Sequence, residues 1–270
     1  MFCFIHIEKA AGSTLHNLLK YNYPNYVSLY PWYYWSNDSE AIVSAKELKI
    51  LEKFFPFKSS FGGHTLRAYL GYEEVLKKQI SYFTFFREPI SRYLSYYYYQ
   101  NDKMGFERTI EEYLNETRFN NFMTVRIAGD SDLDKAKQIV SEKIKFIGLT
   151  EEFNKSLLLL NQKIFNNKFD MRYEKRNISN RSIVISIGDL TMDQQEKVIG
   201  NNQKDIELYS FAKELFLEQI NNYNGDLLHD EKMFNESLKG FEYKKWRFNL
   251  IKFYKGWNRY IAEPFAHNLR

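Results

Sequence analysis

Short apolar runs alternate with segments of helical spacing along this chain. Residues 2–7 are almost all apolar and predict a buried strand, and the spacing behind them predicts a helix over 13–21. Ser36-Asn37-Asp38-Ser39 is a capping cluster for a helix across about 39–55, which Pro56 ends. Residues 57–61 read as a short strand, Gly62-Gly63-His64 as the turn after it, and 72–78 as a short helix. A continuous β-type run covers 80–86. Arg87-Glu88-Pro89 breaks it and starts a helix, with Pro89 suited to the first turn. Further helices are predicted over 106–128, 151–165, 191–200 and 202–222, and further strands at 146–149 and 183–187. The aromatic segment 22–35 and the polar segment 166–182 read as loops. This alternation predicts an α/β fold, a mostly parallel sheet flanked by helices. No repeat or linker divides the chain. Residues 1–230 are expected to form one domain and 231–270 a helical extension packed on it.

Composition changes this picture little. At 270 residues and 44% hydrophobic the chain can bury a substantial core, and a net charge of +4 is compatible with an anionic ligand without calling for nucleic acid. One cysteine, Cys3, excludes an internal disulfide framework and any multi-cysteine metal site, and no other metal-ligand cluster is evident. No signal peptide and no apolar run of about 18 residues is present, so a cytoplasmic protein is expected. Charge is uneven, however. Residues 239–270 carry eight basic against two acidic side chains, which leaves the remainder slightly acidic. That stretch, with Trp246, Phe248, Phe253, Tyr254, Trp257 and Tyr260, reads as a helix packing its aromatics on the domain; the alternative is peripheral contact with an anionic membrane or an acidic acceptor.

The chemistry begins at the first strand. It runs into Glu8-Lys9-Ala10-Ala11-Gly12-Ser13-Thr14, which opens a helix. Backbone amides at a helix start lack internal partners and sit at the positive end of the helix dipole. Lys9, Ala11, Gly12, Ser13 and Thr14 thus form a candidate phosphate loop, with Lys9 adding a charge and Ser13 and Thr14 adding hydroxyls. Lys9 precedes the single glycine, so this is not the G-x-x-x-x-G-K-[ST] loop of nucleoside triphosphate enzymes. A second anion grip is predicted where the 80–86 strand emerges, with Arg87 at its end and Ser91 and Ser95 on one face of the following helix. Two grips suit a nucleotide with both 3′- and 5′-phosphates.

These motifs resemble those of the sulfotransferases that use 3′-phosphoadenosine 5′-phosphosulfate, in particular the branch of heparan sulfate 2-O-sulfotransferase. Those enzymes have a P-K-T-[AG]-[GS]-[ST]-[ST] loop, matched by Glu8 to Thr14, and an R-[DE]-P-x-x-R-x-x-S segment, matched by Arg87 to Ser95. Between them lies a Gly-His element, here Gly63-His64. After them come N-x-x-T-R-x-[LI]-[AS]-G, matched from Asn121 to Gly129 with one residue inserted before Arg126, then G-L-T-E-x-F at Gly148 to Phe153 and N-x-x-D-x-x-L-Y at Asn202 to Tyr209. The resemblance implies a P-loop-type sheet, a donor that leaves as 3′,5′-adenosine bisphosphate, no metal, and a hydroxyl acceptor, a carbohydrate in that branch. It implies Lys9 as the group that stabilises the leaving phosphate, His64 as general base, and Lys9, Ala11, Gly12, Ser13, Thr14, Arg87, Ser95 and Arg126 as donor-binding residues.

Two positions depart from the pattern. Glu8 replaces the usual Pro and Ala10 a hydroxyl residue. A carboxylate near a phosphate is unfavourable unless it points away, and the loss at 10 removes a donor. The rival readings are a nucleotide-dependent kinase and a non-catalytic nucleotide-binding relative. Each site residue also has an ordinary reading: Lys9 as a solvated loop lysine, His64 as a turn residue, Arg87 and Arg126 in ion pairs. His6 is expected to be structural. No partner is predicted for His16, His229 or His267.

Overall fold

The computed structural model describes residues 1–29, 42–54, 60–174 and 186–244, and beyond these 246–247, 252–253, 256–257 and 260–261. Five strands form one all-parallel sheet in the order β2-β3-β1-β4-β5: β1 Phe2–Ile5, β2 Val27–Leu29, β3 Ser60–Gly63, β4 Ser81–Phe86 and β5 Ile144–Leu149. The α/β expectation therefore stands. Parallel strands are covered on both faces, and β1 and β4 are accordingly buried along nearly their whole lengths.

Topology places the ligand edge. From β1 the chain crosses through α1 (Gly12–Asn22) to β2, while from β4 it runs through α4 (Pro89–Met104) toward β5 on the other side. Adjacent β1 and β4 thus send their connections in opposite directions, which makes the crevice at their carboxyl ends the switch point where open α/β sheets bind ligands. Thr84 Oγ1 donates to the Ile5 carbonyl at 2.8 Å and locks the two strands at that edge.

Several elements differ from the sequence reading. Gly62 and Gly63 belong to β3 rather than to a turn. A Cβ at Gly62 would fall 2.2 Å from the Tyr26 hydroxyl, and one at Gly63 1.9 Å from the Leu29 carbonyl, so the glycines mark close approach, not reversal. Within the predicted 22–35 loop, residues 27–29 form edge strand β2; residues 30–35 lie outside the described residues. The long helix over 106–128 is instead α5 (Ile110–Leu114), a 3₁₀ turn at Thr117–Phe119 and α6 (Phe122–Ala128). A capping box at Thr109 and left-handed Asn121 set these breaks. Ile187 opens a 3₁₀ turn, and the rest of that predicted strand is outside the described residues except Ser186.

The remaining helices are α2 (Ala45–Phe54), α3 (Tyr72–Leu76), α7 (Leu133–Glu142), α8 (Phe153–Phe165), α9 (Met192–Asn201), α10 (Gln203–Asn221) and α11 (Leu227–Ser237). Helix α7 went unread in the sequence, and α11, which packs on α8, spans residue 230. A second, smaller core of Tyr93, Tyr97, Tyr113, Phe119 and Val198 joins α4, α5 and α9. Beyond α11 the chain returns to α1, where Arg247 donates to the Tyr21 carbonyl at 3.3 Å and lies over its ring. Trp246, Phe253, Trp257 and Tyr260 are exposed. Among the described residues no helix is long and apolar enough to cross a membrane.

Candidate active site

The turn from β1 into α1 is held by two non-glycine residues in the left-handed region, Lys9 (φ 69°) and Ala11 (φ 57°). The first backbone bond of α1 runs from the Leu15 N–H to the Ala11 carbonyl. The amides of Gly12, Ser13 and Thr14 therefore have no intrahelical partner. The Ala11 N-cap offers no side-chain cap, and no acidic residue stands in the first turn. Helix α4 differs. Glu88 caps it, accepting from the Ile90 and Ser91 amides at 3.0 and 2.7 Å. Of the two helix starts at the switch point, α1 is the one open to an anion.

Gly12 is needed for packing as well. A Cβ there would sit 1.6 Å from His6 Nε2, so the helix start lies directly on the His6 ring. Ala10 is fully buried in the core, hence its missing hydroxyl is not one that faced a ligand. Ser13 is exposed and Thr14 half-buried.

Arg87 and Ser95 sit on the other side of the crevice. Arg87 Nη1 donates to the Lys9 carbonyl at 3.2 Å, which brings the two predicted grips together, and Ser95 is buried on α4 while Ser91 is exposed. Lys9 Nζ lies 4.6 Å above the centre of the half-exposed Tyr99 ring. Of the tyrosine run, Tyr97 enters the second core and Tyr96 packs on Phe119 and Phe122.

His64 follows β3 beside this loop. Its Nδ1 is 3.2 Å from the His6 carbonyl, which can only accept, so Nδ1 carries the proton and Nε2 the lone pair. Its own carbonyl accepts from Arg67 Nη1 at 2.5 Å and Arg126 Nη1 at 3.1 Å. Arg126 also pairs with Glu8 through Nη2, and Glu8 Oε1 stands 3.4 Å from His64 Nδ1. Burial would raise the Glu8 carboxyl, but Arg126 and His64 outweigh it and hold it down at about 2. Burial and the neighbouring Arg126 lower Arg67 to about 10. Glu8 thus turns from the candidate phosphate loop toward His64, which removes the conflict its charge posed in the sequence. Arg126, expected on the nucleotide, faces Glu8 and the His64 carbonyl.

Behind His64 lies a chain that sequence reading missed. The His6 ring stacks on it at 3.8 Å between centroids, His6 Nδ1 is 3.1 Å from His16 Nε2, and His16 Nδ1 is 2.9 Å from the Tyr26 hydroxyl. Burial keeps both His6 and His16 well below the usual imidazole range. The i, i+4 relation of Gly12 and His16 was the available signal.

The later motifs act as scaffold. Asp205 accepts from the Met123 and Thr124 amides (2.9 and 2.8 Å) and the Thr124 hydroxyl, while Asn121 Oδ1 accepts from the Lys204 amide at 2.9 Å. Helices α6 and α10 therefore cap each other, which fixes Arg126. Glu151 accepts from the Glu88 amide and the Tyr209 hydroxyl, both at 2.9 Å, and steadies the turn that carries Arg87.

The family model for the sulfotransferase family matches residues 1–212, from β1 to within α10. The chain belongs to that family. This assigns it to the transferases that move a sulfuryl group, and the matched span contains the anion loop, the Arg87 turn, His64 and the reciprocal caps. No curated protein was found to match the chain.

Proposed function

We propose that this sulfotransferase takes 3′-phosphoadenosine 5′-phosphosulfate as donor and a carbohydrate hydroxyl as acceptor. The observation that carries the donor reading is the uncapped start of α1, where three amides, Lys9 and the Arg87 guanidinium converge on the switch point. Charge and donor chemistry there suit an anion held from two sides, and the close Gly12–His6 contact keeps the helix start bare. Bound there, the donor supplies the sulfuryl group and leaves as 3′,5′-adenosine bisphosphate.

In this reading the Gly12–Thr14 amides and the Ser13 and Thr14 hydroxyls hold the 5′-phosphate, and Arg87 and Ser95 the 3′-phosphate. Lys9 offsets the charge that develops on the leaving 5′-phosphate oxygen. His64 Nε2 receives the proton of the acceptor hydroxyl. Arg126 serves as the anchor of Glu8 and of the His64 backbone. The carbohydrate acceptor rests on the resemblance to heparan sulfate 2-O-sulfotransferase.

Incubation with ³⁵S-labelled donor and a panel of desulfated heparin and chondroitin tests this. Label transfer that is lost in His64→Ala and Lys9→Ala is expected. Labelling that survives His64→Ala would overturn the base assignment, and transfer to small phenols but no polysaccharide would overturn the acceptor class.

A further inference from the structure

Glu8 occupies a place where the resembling enzymes have Pro, and its geometry is unusual for a structural ion pair. One oxygen, Oε1, serves both Arg126 and His64, while Oε2 is buried with no hydrogen-bond partner among the described residues. A carboxylate that only neutralised Arg126 would be best placed by offering both oxygens to the guanidinium fork. Here Glu8 meets the fork through Nη2 alone, Nη1 going to the His64 carbonyl, and among the described residues Arg126 Nε is buried without a partner. The carboxylate is instead drawn toward the imidazole.

The charges around His64 explain what this achieves. Arg67 and Arg126 both touch its carbonyl, the His6 ring lies against its face, and His16 and Lys20 stand behind His6 on α1. Two guanidiniums oppose a positive imidazole. His6, stacked at 3.8 Å and buried, takes no charge that would help. Glu8 contributes a negative charge in contact with the ring, on the side of the nitrogen that keeps its proton.

We propose that Glu8 is a positioning residue for His64: beside the His6 carbonyl, which holds the Nδ1–H, its charge stabilises the imidazolium formed when Nε2 takes a proton from the acceptor hydroxyl. This rests on the base assignment above. The proton moves from the acceptor oxygen to Nε2 as the new O–S bond forms and the bond from sulfur to the donor's phosphate oxygen breaks. Nδ1–H stays on the ring, facing Glu8 and the His6 carbonyl. Glu8 itself remains ionised throughout.

The test is a pH titration of ¹⁵N-histidine-labelled protein by NMR, on wild type and Glu8→Gln, alongside rate profiles with the donor and desulfated heparin. In Glu8→Gln the His64 imidazolium should be lost at lower pH than in wild type, with the Nδ1–H tautomer kept by the His6 carbonyl. Turnover should fall roughly tenfold, with the acid limb of the profile moving the same way and the donor KM within about twofold. If Glu8→Gln does not fold, Glu8→Asp, which keeps the charge but shortens its reach to the ring, is read in the same direction. An unmoved His64 midpoint would overturn the proposal and leave Glu8 as an anchor of Arg126. Calorimetry with 3′,5′-adenosine bisphosphate is run in parallel. Absence of binding in wild type would sink the donor reading, while the NMR titration still decides the Glu8–His64 pair.

Discussion

Arg87 reaches across the switch point and donates to the carbonyl of Lys9 at 3.2 Å. The residue that follows β4 thereby holds the loop that follows β1, so the two candidate anion grips are joined directly. An α1 start without a side-chain N-cap and a capped α4 start make the edge asymmetric, with backbone amides on one side and a guanidinium on the other.

Gly12 has no room for a side chain. Gly12→Ala would drive a methyl into the His6 ring, whose place is fixed by His16 and His64. We expect a loss of about 1–3 kcal/mol or more in urea unfolding, as in other overpacked cores, together with weakened anion binding. Wild-type stability in Gly12→Ala would contradict the packing described.

Glu8 predicts an acid limb of stability. The folded carboxyl titrates at about 2 because Arg126 and His64 outweigh its burial, whereas an unfolded glutamate titrates near 4.5. The unfolded chain therefore binds this proton more readily. The contribution is fully present above about pH 5 and is lost as pH falls toward 2, a change of order 2–3 kcal/mol. Thermal unfolding from pH 6 to pH 2 should show this loss in wild type and a flatter curve in Glu8→Gln. Parallel curves would contradict it.

Asp205 lies far in sequence from the site yet governs Arg126. Asp205→Asn cannot accept at both oxygens from the Met123 and Thr124 amides, so the start of α6 is left partly unsatisfied. A destabilisation of roughly 1.5–3 kcal/mol is expected, with reduced turnover because Arg126 no longer holds Glu8 and the His64 carbonyl in place. Urea unfolding and rates measured on the same preparation check both.

Local patterns made much of this legible. The apolar runs at β1, β4 and β5, the Lys9 loop and Arg87 at a strand end follow from periodicity and turn chemistry. The Gly62-Gly63 strand was misread because its cause is non-local: Tyr26 and Leu29 crowd the backbone from another strand and its approach. The break within 106–128 depends on Asn121, whose left-handed conformation is held by pairing with Asn201 and Lys204. Glu8 read as a liability in the sequence, since Arg126, 118 residues away, is what redirects it. The His6–His16–Tyr26 chain was equally hidden, because its contacts join a strand, a helix and the segment read as a loop.

The measurement closest to the central claim is calorimetric titration with 3′,5′-adenosine bisphosphate, 5′-AMP and ATP–magnesium on wild type and Arg87→Ala. The account predicts that wild type prefers the bisphosphate and that Arg87→Ala loses roughly tenfold to a hundredfold of that affinity, with a smaller loss for 5′-AMP. Equal binding of 5′-AMP and bisphosphate, a preference for ATP–magnesium, or an Arg87→Ala variant indistinguishable from wild type would contradict it.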